Sequence, residues 1–259
     1  MYDLNNISSY LNTNIIGQSI IQYDSLNSTF AKAKNIFSTC PDGTVVLSEN
    51  QSESVLRFGN EWVCFPDKNI YISIILKSVN NNYLLPLIDT VGCSSILKSI
   101  FDLYNLDCKI KWPNDIIING NKAASVKGDI AGKGAGIILS LNINVNMEEK
   151  IENLKNTSIR IEKGEAVERE LLIGNILNNI EYHYDKLIST GKASKAVDLY
   201  NESLLFYNKK IGVAKRGRKT VRKVVAKNIN SEGWLSVINE KGNEEILSPG
   251  DTIIQYEET

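Results

Sequence analysis

Apolar residues recur at three- and four-residue steps through Leu84, Leu87, Ile88, Val91, Cys93, Ile96, Leu97, Ile100 and Tyr104. That spacing keeps one side of a 3.6-residue turn apolar, so it predicts a long amphipathic helix over about 84–104. Ahead of it, Ile70-Tyr71-Ile72-Ser73-Ile74-Ile75-Leu76 is dominated by β-branched and aromatic residues and reads as a strong strand. Further strands are expected at Ile20–Tyr23, Thr44–Ser48 and Ala135–Asn146, with a short helix at Leu4–Leu11. Ser28 and Thr29 stand where a helix through Ala31–Phe37 should be capped, and Pro41-Asp42-Gly43 marks a turn. Lys109–Trp112 and Ile116–Ile118 read as strand pieces, and Asn119-Gly120 is the strongest short hairpin signal of the chain.

The pattern changes after residue 146. Residues 147–165 are charged and loop-like, and 167–203 reads as two helices. From about 208 onward, short strands alternate with Gly-containing turns, which suggests a small β-barrel. Two domains are therefore expected, 1–207 and 208–259.

Composition narrows the function classes only a little. The chain has 259 residues, 42% hydrophobic and 23% charged, with a net charge of −1, so nothing draws it as a whole to nucleic acid or a membrane. The N-terminus lacks the basic and apolar regions of a secretory signal, and no apolar run approaches membrane-spanning length. A cytoplasmic location is the expectation. Cys40, Cys64, Cys93 and Cys108 are scattered without a CxxC, and His183 is the only histidine, which argues against a Cys/His zinc site and for buried free thiols. No serine or cysteine is set up beside His183, so it is read as a surface or packing residue.

Lys111-Trp112-Pro113-Asn114-Asp115 carries the most chemistry. A cation, an indole, a rigid ring, an amide and a carboxylate stand in consecutive positions, and Lys122 follows seven residues after Asp115. Lysines suit a carboxylate or phosphate, Asp115 suits a cationic partner or metal, and Asn114 could read an adenine-like edge. A capped turn with a solvated lysine would use the same residue types. Asp129-Ile130-Ala131-Gly132-Lys133-Gly134 lacks the Ser/Thr and the glycine spacing of a phosphate loop. It is read as a Gly-rich loop at a ligand's edge or as a long hairpin tip.

The order of these residues resembles the biotin protein ligases. The Lys-Trp-Pro-Asn-Asp motif, the following strand and Lys122 match that family's central motif. Ser28-Thr29, Gly43-Thr44-Val45-Val46, Gln51 and Trp62 at the ends of its Gly/Arg loop, Ile70–Ser73, Asn142–Asn146 and Val167–Leu172 match other parts in order. The resemblance implies a mixed-sheet, class II synthetase-like α/β (α+β) ligase domain that carries its ligand on one sheet face, followed by a small SH3-like barrel. It implies ATP-dependent activation of biotin to biotinyl-5'-AMP, with Mg²⁺ screening the phosphates, then transfer to a lysine of a carboxylase's biotin carboxyl-carrier domain. By position, Lys122, Arg57 and Lys111 would be catalytic. Ser28, Thr29, Gln51 and Trp62 would bind substrate, and Lys111, Asn114, Asp115 and Asn144 would serve the nucleotide, with no protein metal ligand assigned. The family's longer members carry a winged-helix domain, for which there is no room before Ser28, so transcriptional repression is not expected. A homodimer is left open.

The Gly-Arg-Gly-Arg-x-Gly-Arg loop of the family is here Ser54-Val55-Leu56-Arg57-Phe58-Gly59-Asn60. An arginine-to-valine change at Val55 removes a charge-assisted bond worth ~1.5–3 kcal/mol. Phe30 replaces an asparagine, and Ser125, Ser140 and Asn142 stand where the family favours glycine. These departures leave two alternatives beside the biotin ligase: a ligase for another acid such as lipoate, and a non-catalytic ligand- or carrier-binding homologue. Between Lys209 and Lys227 there are nine Lys/Arg and no acid. No aromatic residue interleaves with them, which disfavours single-stranded nucleic acid. An acidic carrier domain or plain solvent is expected to face this arm.

Overall fold

The computed structural model describes residues 1–53, 62–79 and 82–255. Its larger sheet has seven strands in the order β1-β2-β3-β7-β6-β5-β4. These are β1 (Ile20–Leu26), β2 (Val45–Gln51), β3 (Ile70–Leu76), β4 (Lys109–Lys111), β5 (Asp115–Ile118), β6 (Asn121–Ala131) and β7 (Gly136–Ile143). β1 and β2 run parallel through the crossover helix α2 (Thr29–Ile36), and every other pair is antiparallel. The sheet is therefore mixed, as the resemblance implied.

Cross-strand register sorts the side chains into two faces. One face presents Leu47, Ile72, Leu141, Val126 and neighbours, all buried in the main core. It packs against α3 (Leu85–Tyr104), which lies in turn against α5 (Arg169–Thr190) and α6 (Ser194–Glu202). Gly92 lets α3 approach β6, because a Cβ there would lie 2.7 Å from Val126 Cγ1. The other face is covered at one end by α2 and is polar beyond it. The start of α5 is anchored to strand ends by Arg169, which donates to Glu49 at 2.7 Å and to the Asn69 carbonyl at 3.1 Å, its guanidinium over the Tyr2 ring.

Most expected elements fall close to their sequence positions, with informative exceptions. The short helix α1 (Leu4–Ser9) ends before Leu11. A short helix, α4 (Ile159–Lys163), lies in the segment read as loop, with Ser158 Oγ accepting from Ile161 N at 3.2 Å. The Gly132–Gly134 turn is the tip of the β6–β7 hairpin. It packs on Phe37 beyond the C-terminal end of α2, a helix length of ~12 Å from the N-terminal end that borders the polar face. Cys93 and Cys108 are buried, but Cys40 and Cys64 are only half-buried. Burial pushes the Cys108 thiol up to about 12.

Residues 210–255 form a second, five-stranded antiparallel sheet, β11-β10-β9-β8-β12. Its strands are β8 (Lys210–Lys215), β9 (Arg222–Ile229), β10 (Leu235–Asn239), β11 (Glu244–Leu247) and β12 (Thr252–Gln255). The basic arm is the β8–β9 hairpin, exposed from Lys215 to Lys223. Arg222 pairs with Glu245 at 2.5 Å, and Lys227 donates to Asn208 Oδ1 at 2.6 Å. Among the described residues no helix is long and apolar enough to cross a membrane.

His183 is a packing residue. It is buried on α5, and its Nε2 has no hydrogen-bond partner among the described residues. Burial, and then the positive charges of Lys195 and Lys98, hold its pKa at about 4 instead of 6.5. The imidazole stays neutral in the fold while the unfolded chain takes up a proton near 6.5. Stability from this group is therefore complete above pH 6.5 and is lost as pH falls from there toward 4. Melting temperatures of wild type and His183→Gln, compared at neutral and mildly acidic pH, will show a smaller acid loss in the variant. Parallel declines would refute the assignment.

Candidate active site

The polar face is laid out by register. Tyr23, Ser48, Tyr71, Asn142, Ser125, Asp115 and Lys111 are successive cross-strand partners, so their side chains share one side of the sheet. At the β2 end the network is closed. Gln51 Oε1 accepts from Thr29 N at 2.7 Å and Thr29 Oγ1 at 3.0 Å, and Gln51 Nε2 donates to Asn142 Oδ1 at 3.1 Å. Ser73 Oγ donates to Thr29 Oγ1 at 2.9 Å and lies 2.8 Å from Ser140 Oγ. Ser28 is the N-cap of α2, its Oγ accepting from Ala31 N at 3.4 Å. This cap fixes Thr29 over the sheet, so the backbone turn and the site are built by the same two residues.

At the β5–β6 end, Asn119 and Gly120 adopt φ of 48° and 77°, the left-handed pair that a tight hairpin requires. The turn sets Lys122 opposite Ile117, on the side of Asp115. Lys122 and Ser125 are three residues apart, which strict alternation would place on opposite faces. A β-bulge at Ala123 absorbs the odd residue and brings both to Asp115. Lys122 Nζ lies 2.9 Å from Asp115 Oδ2, Ser125 Oγ donates to Asp115 Oδ1 at 2.7 Å, and both charged side chains remain partly exposed. The Trp62 ring lies beneath the ammonium, 5.6 Å away.

The Lys-Trp-Pro-Asn-Asp turn serves mainly as a brace. Trp112 is buried, its Nε1 donating to the Gly233 carbonyl in the β9–β10 turn at 3.5 Å. The Trp112–Pro113 peptide is cis, and Tyr200 OH donates to the Pro113 carbonyl at 3.0 Å. Asn114, expected to serve the nucleotide, is buried, its Nδ2 donating to the Val126 carbonyl and to Ser125 Oγ. Asn144 is also buried, donating to the Thr157 carbonyl at 3.0 Å and accepting from Asn69 Nδ2 at 3.1 Å. Arg57, with Ser54, Val55, Leu56, Phe58 and Asn60, lies outside the described residues.

Beyond Lys122 opens a cleft of about 160 Å³ lined by Trp62, Val63, Asn144, Ile151, Leu154 and Asn156, among others. Residues 155–157 are zipped to the backbone of Lys122, which donates to the Lys155 carbonyl and accepts from Thr157 N, both at 2.9 Å. Sequence reasoning missed Ser73 and Asn156, since neither type nor spacing singles them out.

A profile of the Biotin/lipoate A/B protein ligase family matches residues 21–146, the segment that holds nearly the whole seven-stranded sheet and the polar face. The match spans just under half of the chain, and over that segment the chain is similar to this family. It is similar to the bifunctional ligase/repressor BirA of Bacillus subtilis (strain 168), 27% identical over 189 residues, which cover 70% of this chain and 58% of that protein. The chain thus matches less than two thirds of that relative's length. Biotin--protein ligase 2 of Arabidopsis thaliana is 25% identical over 266 residues, covering 97% of this chain and 77% of that one. Among solved structures, the biotin protein ligase from Aquifex aeolicus in complex with biotin and ATP superposes with a TM-score of 0.82. That likeness covers 93% of this chain and 100% of the other at 17% identity, and is a likeness of fold. Within the ligase family's scheme, Ser125, Ser140 and Asn142 are departures from glycine, and each now has a defined place. All are drawn into the polar face: Ser125 braces Asp115, Ser140 meets Ser73, and Asn142 accepts from Gln51.

Proposed function

We propose that this chain is an ATP-dependent biotin protein ligase that forms biotinyl-5'-AMP and passes the biotinyl group to a lysine of a carboxylase carrier domain. The observation that supports it best is the position of Lys122, an ammonium held on Asp115 on the polar face and lining the adjoining cleft. Such a group can face a carboxylate from one side and an α-phosphate from the other.

In the first step a biotin carboxylate oxygen attacks the α-phosphorus. The bond to the bridging oxygen breaks, and pyrophosphate leaves with its electrons. Lys122 offsets negative charge where the two anions meet, and Lys111, on the same face as Asp115, adds to the positive field. Thr29, Gln51 and Asn142 are held by one another at the β2 end of the same face, a pre-set polar surface beside the reacting groups. In the second step the acceptor amine attacks the acyl carbon, loses a proton and expels AMP. Among the described residues no cluster of three His, Cys, Asp or Glu could hold a metal. Mg²⁺ would accompany the ATP phosphates, and no step here runs through it.

The test is incubation of the chain with biotin, MgATP and a biotin carboxyl-carrier domain. Pyrophosphate release and a carrier mass increase of one biotinyl group are expected, with lipoate as the competing acid. A folded sample that neither releases pyrophosphate nor labels the carrier would refute the proposal.

A further inference from the structure

Lys127 stands on the polar face of β6, two residues beyond Ser125 and directly opposite Ser140 of β7. The side chain is half-buried, and its ammonium lies 5.1 Å from the centre of the Phe30 ring. That ammonium makes no hydrogen bond or ion pair among the described residues. Asp129, the nearest acid along the strand, turns its Oδ1 to the Ile130 amide at 2.8 Å instead. A lysine resting on an aromatic ring keeps three N–H donors to offer, and carries no acceptor of its own.

Its neighbours are differently placed. Thr29 gives both its N–H and its hydroxyl to Gln51, Gln51 Nε2 goes to Asn142, and Ser73 Oγ lies between Thr29 and Ser140. Each is engaged with another side chain of the same face, so a ligand laid there would break one bond to gain one. Lys127 can donate without that loss. Departures from the ligase pattern also gather round it: Phe30 touches it, Ser140 faces it across the ladder, and Ser125 precedes it on the same side. The bulge at Ala123 puts Lys122 on that side too. The two lysines are five residues apart on one strand, at most about 16 Å, so a single extended acid can reach both.

We infer that Lys127 is a specificity-determining residue that reads the far end of the acid, donating to an oxygen acceptor on its head group while the carboxylate meets Lys122. This rests on the proposed activation of biotin, whose cyclic urea carries such an oxygen. It adds the residue and the rule by which an acid with an oxygen-bearing head is preferred to one with an apolar head, such as the dithiolane of lipoate. Lys127 touches no reacting atom in this scheme, so it acts on acid affinity and not on the chemical step.

The experiment is calorimetric titration of the full chain with biotin, 2-iminobiotin and lipoate, in the presence of α,β-methylene-ATP, whose carbon bridge cannot be cleaved. 2-Iminobiotin carries a protonated nitrogen in place of the urea oxygen, and lipoate has no oxygen there. Wild type will bind biotin more tightly than either. Lys127→Met keeps the bulk of the stem, and it will weaken biotin about tenfold while leaving lipoate within about twofold. Its preference for biotin over 2-iminobiotin will fall further, because a repulsion is removed along with the hydrogen bond. Lys127→Arg retains a charged donor and will keep more of the biotin preference than the methionine variant. Affinity ratios in Lys127→Met equal to those of wild type would overturn the inference while leaving the ligase reading intact. Equal weakening of all three acids would mark a structural role and overturn it likewise. A wild type that binds none of them would overturn both.

Discussion

Replacing Lys122 by alanine will lower the rate of acyl-adenylate formation by about 10²–10³-fold, the usual loss when a preorganised charge is removed from a reacting centre. Its ammonium is held by Asp115 and sits over Trp62, so it needs little reorganisation when the anions arrive. The charge that develops during phosphoryl displacement is what it meets, and the effect should fall on kcat with small change in KM for biotin. Lys122→Arg keeps the charge but not the compact ammonium, and should recover only part of the rate. Single-turnover pyrophosphate release measures all three proteins. The side chain is partly exposed, so circular dichroism spectra should be unchanged. An alanine variant that turns over like wild type would remove this lysine from the reaction.

Trp112→Ala is expected to cost about 3–5 kcal/mol, the range for truncating a large buried aromatic. Trp112 is 2% exposed in the main core and donates to Gly233 in the β9–β10 turn. Its loss therefore opens a cavity and also frees a carbonyl where the two sheets meet. A melting temperature lower by roughly 10 °C is the expected reading for a chain of this size. Trp112→Phe, which keeps most of the volume and loses the N–H, should fall much less. Equal losses in the two variants would mean that the indole hydrogen bond, and not packing, dominates.

Much of this fold was legible because its signals are local. The apolar stripe of 84–104 became α3, and Ile70–Leu76 became β3, since period and branching are written directly in the residues. Asn119-Gly120 gave its turn for the same reason. β6 was harder, because Lys, Ala, Ser, Gly and Asp carry little strand preference, and two flanking strands impose the extended form. Its phase is also broken at Ala123, which defeats any reading by alternation. Lys122 and Asp115 drew attention by residue type and Thr29 and Gln51 by the resemblance, and the fold gathers them on one face of the sheet. For Asn114 the residue type leaves its use open, since an amide that reads a ligand and one that braces a turn look the same in sequence.

The near-neutral total conceals a strong separation of charge. Nine cations lie within residues 209–227, while the remaining 20 share the chain with 30 acids, a balance of −10 outside the arm. Such a molecule has a pronounced electric dipole, with the β8–β9 hairpin as its positive pole. At low ionic strength an approaching protein will be rotated before it is touched, and that torque fades once the Debye length shrinks to ~10 Å at 0.1 M salt. Encounter rates with a charged acceptor should therefore track ionic strength far more steeply than a net charge of −1 would suggest.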